Sequence, residues 1–139
     1  MPDKYNPENT NMKNFETHPE TFTLPPNNFC DLSMLEEMED NEYLLEIITV
    51  LLSEMPGDIK EMKQAAQEGK ADIVCKKAHK LKGSAGVIQA EKLIAMLGEI
   101  ETIGKKGTTN GEMNSFIENA GEEYRSIEKA LKIYIARLG

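Results

Sequence analysis

Cysteine, tryptophan and long apolar runs are the scarce features of this 139-residue chain. Two cysteines, Cys30 and Cys75, form neither a disulfide framework nor a metal-ligand spacing, and a reducing compartment fits best. No segment approaches the roughly 18 consecutive apolar residues that a membrane span requires. Residues 1–15 have neither the basic start nor the apolar stretch of a secretory signal, so a cytoplasmic location is expected. Basic residues are outnumbered 16 to 24, for a net charge of -8. That balance repels both a phosphate backbone and an anionic membrane surface, and neither nucleic acid nor a membrane is an expected partner. The length suits one domain, and 40% hydrophobic with 29% charged residues is an ordinary globular composition.

Glycine is missing from residues 1–28, which instead hold five of the six prolines and six asparagines. Their apolar residues follow no helical or strand period, so residues 1–28 read as a flexible polar tail or linker and residues 29–139 as the folded domain. Alternating Val, Ile or Thr runs are also missing beyond Phe29, which leaves helices as the only regular structure.

Asp31 and Ser33 are candidate caps for a short first helix carrying Leu35 and Met38, and Ser33 with Glu36 has capping-box spacing. Asp40 and Asn41 mark the start of a second helix. Its stripe of Leu44, Ile48, Leu51 and Met55 continues through Met62 and Ala66 to a stop at Gly69, with Pro56 expected to kink or divide it. A third helix, about residues 71–88, turns Val74, Ala78, Leu81, Ala85 and Ile88 inward. A fourth, about residues 90–103, does the same with Leu93, Leu97 and Ile100, and Gly104 is its expected stop. A final long helix follows Thr109 and Glu112, a second candidate capping box, and repeats Phe116, Ala120, Tyr124, Ile127, Leu131 and Tyr134. Short connections between long amphipathic helices favour antiparallel neighbours. The expected fold is all-α, an up-and-down antiparallel four-helix bundle with a short additional N-terminal helix.

The third helix holds the most informative residues. At about 100° per residue its five apolar residues occupy a sector of roughly 80°, and His79 lies about 140° from the centre of that sector, on the solvent side. Gly83 and Gly86 share this outer side, although a glycine inside a helix costs roughly 1 kcal/mol relative to alanine. Bare backbone beside an exposed imidazole leaves room for another molecule to approach the ring. Lys76 and Lys82, three residues before and after His79, add positive charge, so the expectation is a basic pocket for an anion. Neutral imidazole is a competent nucleophile near pH 7, and a neighbouring lysine can stabilise the oxygens of a transferring phosphoryl group. The chain has no GxxxxGK[ST] loop and no acidic cluster to hold a nucleotide and magnesium, so it is not expected to draw phosphate from ATP. His18 lies in the tail without a partner, Lys80 is expected to be solvated, and Cys75 reads as a small packing residue.

The run Ala78-His79-Lys80-Leu81-Lys82-Gly83-Ser84-Ala85-Gly86, with Leu93 and Ile100-Glu101 beyond it, resembles the histidine-containing phosphotransfer (HPt) domain family of two-component phosphorelays. The resemblance covers about 110 residues and implies that His79 exchanges phosphoryl groups with the aspartate of response-regulator receiver domains. It further implies that Lys82 is the electrostatic helper and Gly83 the clearance position. Gly86, Lys76 and the methionine-containing first helix, through Met34, Leu35 and Met38, are candidate docking residues. No metal or cofactor is expected on this chain, magnesium belonging to the partner receiver; a hybrid sensor histidine kinase is a candidate upstream partner, and a monomer is expected. The sequence departs from many family members at Gln89, where they carry a glycine. The alternative reading is a helical adaptor that binds receivers without phosphotransfer.

Overall fold

The computed structural model describes residues 29–109 and 111–138; the expected tail over residues 1–28, with His18, lies outside them. Five helices follow in order: α1 (Ser33–Glu36), α2 (Asn41–Gln67), α3 (Ala71–Val87), α4 (Glu91–Lys105) and α5 (Gly111–Leu138). Each long helix packs on its two sequence neighbours around a ring, with α5 closing against α2, while the diagonal pairs stay apart. This is the expected antiparallel four-helix bundle with its extra N-terminal helix. The apolar stripes read from the sequence meet in one core, where Ile48, Met55, Met62, Leu81, Leu97, Ile127 and Leu131 are almost wholly buried.

The helix ends account for the connections. Asp40 caps α2 by accepting from the backbone N–H of Tyr43 at 3.0 Å. At the other end Gly69, at φ 76°, places the N–H of Lys70 on the carbonyl of Ala65 and its own N–H on Ala66, the paired bonds of a Schellman stop. The α3–α4 turn has the same two bonds, Ala90 N–H to Ala85 and Gln89 N–H to Gly86, but here Gln89 holds the left-handed conformation at φ 50°. A side chain therefore occupies the backbone state that glycine adopts without strain.

Three local expectations are corrected. Pro56 does not divide α2, which runs unbroken through it; the exposed proline removes one backbone donor on the water side, where the freed carbonyl can be hydrated. Gly104 is not the left-handed stop of α4 but a buried residue of its last turn, and the chain turns instead at Gly107, φ 80°. The Ser33–Glu36 capping box is not made. Asp31 accepts from the N–H of Ser33 at 2.9 Å, and the Glu36 carboxylate accepts from the Tyr134 hydroxyl of α5 at 2.5 Å. That bond and the 2.8 Å bond from Asp31 N–H to the carbonyl of Ile88 fix α1 over the end of the bundle.

Candidate functional site

His79 projects from the middle of α3 with 76% of its side chain exposed. It is not alone. Glu101 of α4, with only 11% of its side chain exposed, places Oε2 3.1 Å from His79 Nδ1. The other oxygen, Oε1, accepts from Lys82 Nζ at 2.7 Å, and Lys105 Nζ stands 3.9 Å from Oε2. The hydrogen bond from Lys82 is the main cause that holds the Glu101 carboxyl below its ordinary range. Burial opposes it, and the His79 bond and the charges of Lys82 and Lys105 add to it.

An ionised carboxylate only accepts hydrogen bonds. Nδ1 of His79 must therefore be the protonated nitrogen of the neutral ring, which leaves the lone pair on Nε2, the nitrogen away from Glu101. Glu101 thus selects the tautomer and fixes the ring plane. Positive charge that develops on the imidazole also has a carboxylate beside it.

The backbone around this group is brought close by small residues. Cys75, one turn before His79, donates its thiol to the carbonyl of Glu101 at 3.4 Å. Gly104, three residues beyond Glu101, lets α4 approach α3: a β-carbon there would stand 2.7 Å from Cys75 Sγ and 3.2 Å from the Ala71 carbonyl oxygen. On the open side, a β-carbon on Gly83 or Gly86 would meet nothing within 4 Å.

A family model for the Hpt domain matches residues 46–138. The chain belongs to the Hpt domain family. Such domains serve phosphorelays in two-component signalling and generally interact with receiver domains. No curated protein and no solved structure matches the chain. Among the described residues of this Hpt domain, no helix is long and apolar enough to cross a membrane.

The sequence-derived residues of the Hpt domain fall into two groups. His79, Lys82, Gly83, Gly86 and Lys76 share the exposed side of α3 or its edge toward α4, whereas α1 lies at one end of the bundle. Met34 and Met38 on and beside α1 are 66% and 55% exposed, but Leu35 is half-buried against the core. The expected basic pocket is largely neutralised. Lys82 is paired with Glu101, and Lys80, expected to be solvated, lies 3.0 Å from the buried Asp58 of α2. Lys77 pairs with Asp58 at 3.2 Å and Glu61 at 2.5 Å.

Two buried carboxylates carry no functional signal in the helical periodicity: Glu101 is marked only by the family resemblance, and Asp58 by neither. Both left a trace in the pattern: Asp58 sits between Met55 and Met62 on the buried stripe of α2, and Glu101 follows Leu97 and Ile100 on that of α4. An acid on an apolar stripe needs a cationic partner from another helix. Neighbour identity is set by packing, which a single helix's periodicity does not contain.

Proposed function

We propose that this Hpt domain is a phosphorelay intermediate in which His79 takes a phosphoryl group from the aspartyl phosphate of one receiver and passes it to another response regulator. The observation that carries this reading is the Glu101–Nδ1 bond on an otherwise exposed ring, because it supports a lone pair at Nε2 facing open space. In the forward step the Nε2 lone pair forms a bond to phosphorus. The phosphorus–oxygen bond to the donor aspartate breaks, and its electron pair leaves on the aspartate carboxylate. No proton has to leave the attacking nitrogen, and the positive charge gained by the phosphorylated ring is balanced by Glu101. Onward transfer is the reverse with a different aspartate.

Lys82 has an ammonium at the edge of the same group and is the cation for the transferring oxygens. Gly83 and Gly86 give the receiver clearance. Any metal is expected from the partner, and the relay is expected to operate in the cytoplasm.

The test is transfer of label from a receiver phosphorylated on its aspartate with acetyl phosphate. Wild-type protein should gain an acid-labile, base-stable label, and His79→Gln should gain none. Label that persists in His79→Gln would overturn the assignment. Binding of the phosphorylated receiver without any label on the wild type would instead favour a non-covalent adaptor.

A further inference from the structure

We infer that Lys76 is the residue with which this domain recognises its partner electrostatically: an unpaired cation that engages an anionic side chain on the rim of the receiver's phosphorylated pocket and sets docking strength and orientation. This rests on the phosphorelay reading and adds a specificity-determining residue to it.

The ion pairs of α3 lead to Lys76. The helix carries four lysines, Lys76, Lys77, Lys80 and Lys82. Lys77 and Lys80 are held by Asp58, and Lys82 by Glu101. Lys76 is exposed and forms no side-chain hydrogen bond or ion pair among the described residues. Asp72, one turn earlier at the i, i+4 spacing that favours an ion pair on a helix, leaves it unpaired as well. The same helix therefore has three neutralised lysines and one whose charge is available to a visitor.

Its place decides what that charge can do. Lys76 lies three residues before His79, a neighbour on the helix surface about 4.5 Å along the axis. Beyond His79 the same side continues as bare Gly83 and Gly86 and ends at the exposed Val87. The surface is thus polar along α3: a cation, the reactive ring, open backbone, then an apolar side chain. A partner that covers His79 meets these in order, with only one orientation matching an anionic group to Lys76 and an apolar one to Val87. A donor pocket that carries an aspartyl phosphate is rich in negative charge, and this chain as a whole, at -8, repels it. One unpaired lysine beside the ring offsets that repulsion where contact is made.

Steady-state transfer from an acetyl-phosphate-loaded receiver, one that labels the wild-type chain, distinguishes docking from chemistry. Lys76→Ala should raise KM about threefold to tenfold with kcat within twofold, and Lys76→Glu should raise KM further. Lys76→Arg should restore the wild-type value. The rise of KM with ionic strength should be shallower in Lys76→Ala, because one screened attraction is gone. Thermal melting checks that all three variants are folded. Unchanged KM in both Lys76→Ala and Lys76→Glu would overturn the inference, as would a fall in kcat at constant KM, which would make Lys76 part of the transfer step. Failure of every phosphorylated receiver to label the wild type would overturn the phosphorelay reading as well, and is seen before any variant is made.

Discussion

The sulfur of Cys75 occupies the space that a side chain on Gly104 would need, 2.7 Å from its ideal β-carbon position. This pair sets how closely α3 and α4 approach one turn from His79. Glu101 lies on the Gly104 side of that contact and His79 on the Cys75 side. The geometry of the ring and its carboxylate therefore depends on two small residues that face each other across the two helices.

Gly104→Ala should consequently destabilise the domain by about 1–3 kcal/mol, the usual cost of forcing extra volume into a packed interface. Cys75→Ala in the same chain removes the nearer obstacle but leaves the Ala71 carbonyl oxygen 3.2 Å away, so the rescue should be partial. Denaturant unfolding of the two single variants and the double variant measures the coupling. Strict additivity would contradict the contact.

Removing the carboxylate should affect chemistry more than folding. Glu101→Ala leaves Nδ1 without its acceptor and frees Lys82, so the population of ring with its lone pair on Nε2 falls. Transfer at saturating receiver should slow about tenfold, corresponding to ~1.4 kcal/mol in the barrier. Nitrogen NMR of His79 should show the proton moving from Nδ1 toward Nε2. A wild-type tautomer distribution in the variant would remove Glu101 from its positioning role.

Gly83 offers effects of opposite sign at one position. Because its β-carbon would meet nothing within 4 Å, Gly83→Ala should stabilise the free domain by up to about 1 kcal/mol through helix propensity. Gly83→Gln should cost the fold little yet obstruct a receiver over His79. Melting curves and transfer assays on both variants check this, and a loss of stability in both would show that the glycine serves the fold.

At Gln89 the backbone, not the side chain, is the target. With φ at 50°, Gln89→Gly should relieve left-handed strain while adding freedom to the unfolded chain, for a net gain of about 0.5–1 kcal/mol. A rise in melting temperature without change in transfer is the expected outcome. A fall would mean that the half-buried glutamine side chain contributes more than its conformation costs.

Acid stability should report Asp58. Burial alone would raise its carboxyl, but hydrogen bonds and charge from Lys80 and Lys77 more than offset this and hold it below its ordinary value of 3.8. A lowered folded-state pKa means stability that is complete above the unfolded value and lost as pH falls through the folded one. Asp58→Asn should therefore cost about 1–3 kcal/mol at pH 7. The difference from wild type should shrink once the pH drops below about 4. Urea midpoints across pH 2.5–7 would reveal it, and a difference that stays constant throughout would exclude the ion pairs as its source.

The amino-acid sequence by itself determined the helices, their inward faces and the exposure of His79. Those follow from spacing along one chain: Val74, Ala78, Leu81 and Ala85 recur at the helical period, and burying them turns residue 79 outward. Gly83 and Gly86 were legible for the same reason, as costs within a helix that their own backbone does not require. Tertiary structure alone decided which charges meet. Glu101 lies 22 residues from His79 and Asp58 22 from Lys80, and only the antiparallel packing of α4 and α2 on either side of α3 brings them together. It also reassigned Gly104 from a helix stop to a contact, because a glycine suited to ending a helix is equally suited to letting two helices touch. Periodicity describes one helix against an unspecified core, whereas the pairing of buried carboxylates with lysines depends on the depth, tilt and register of a second helix.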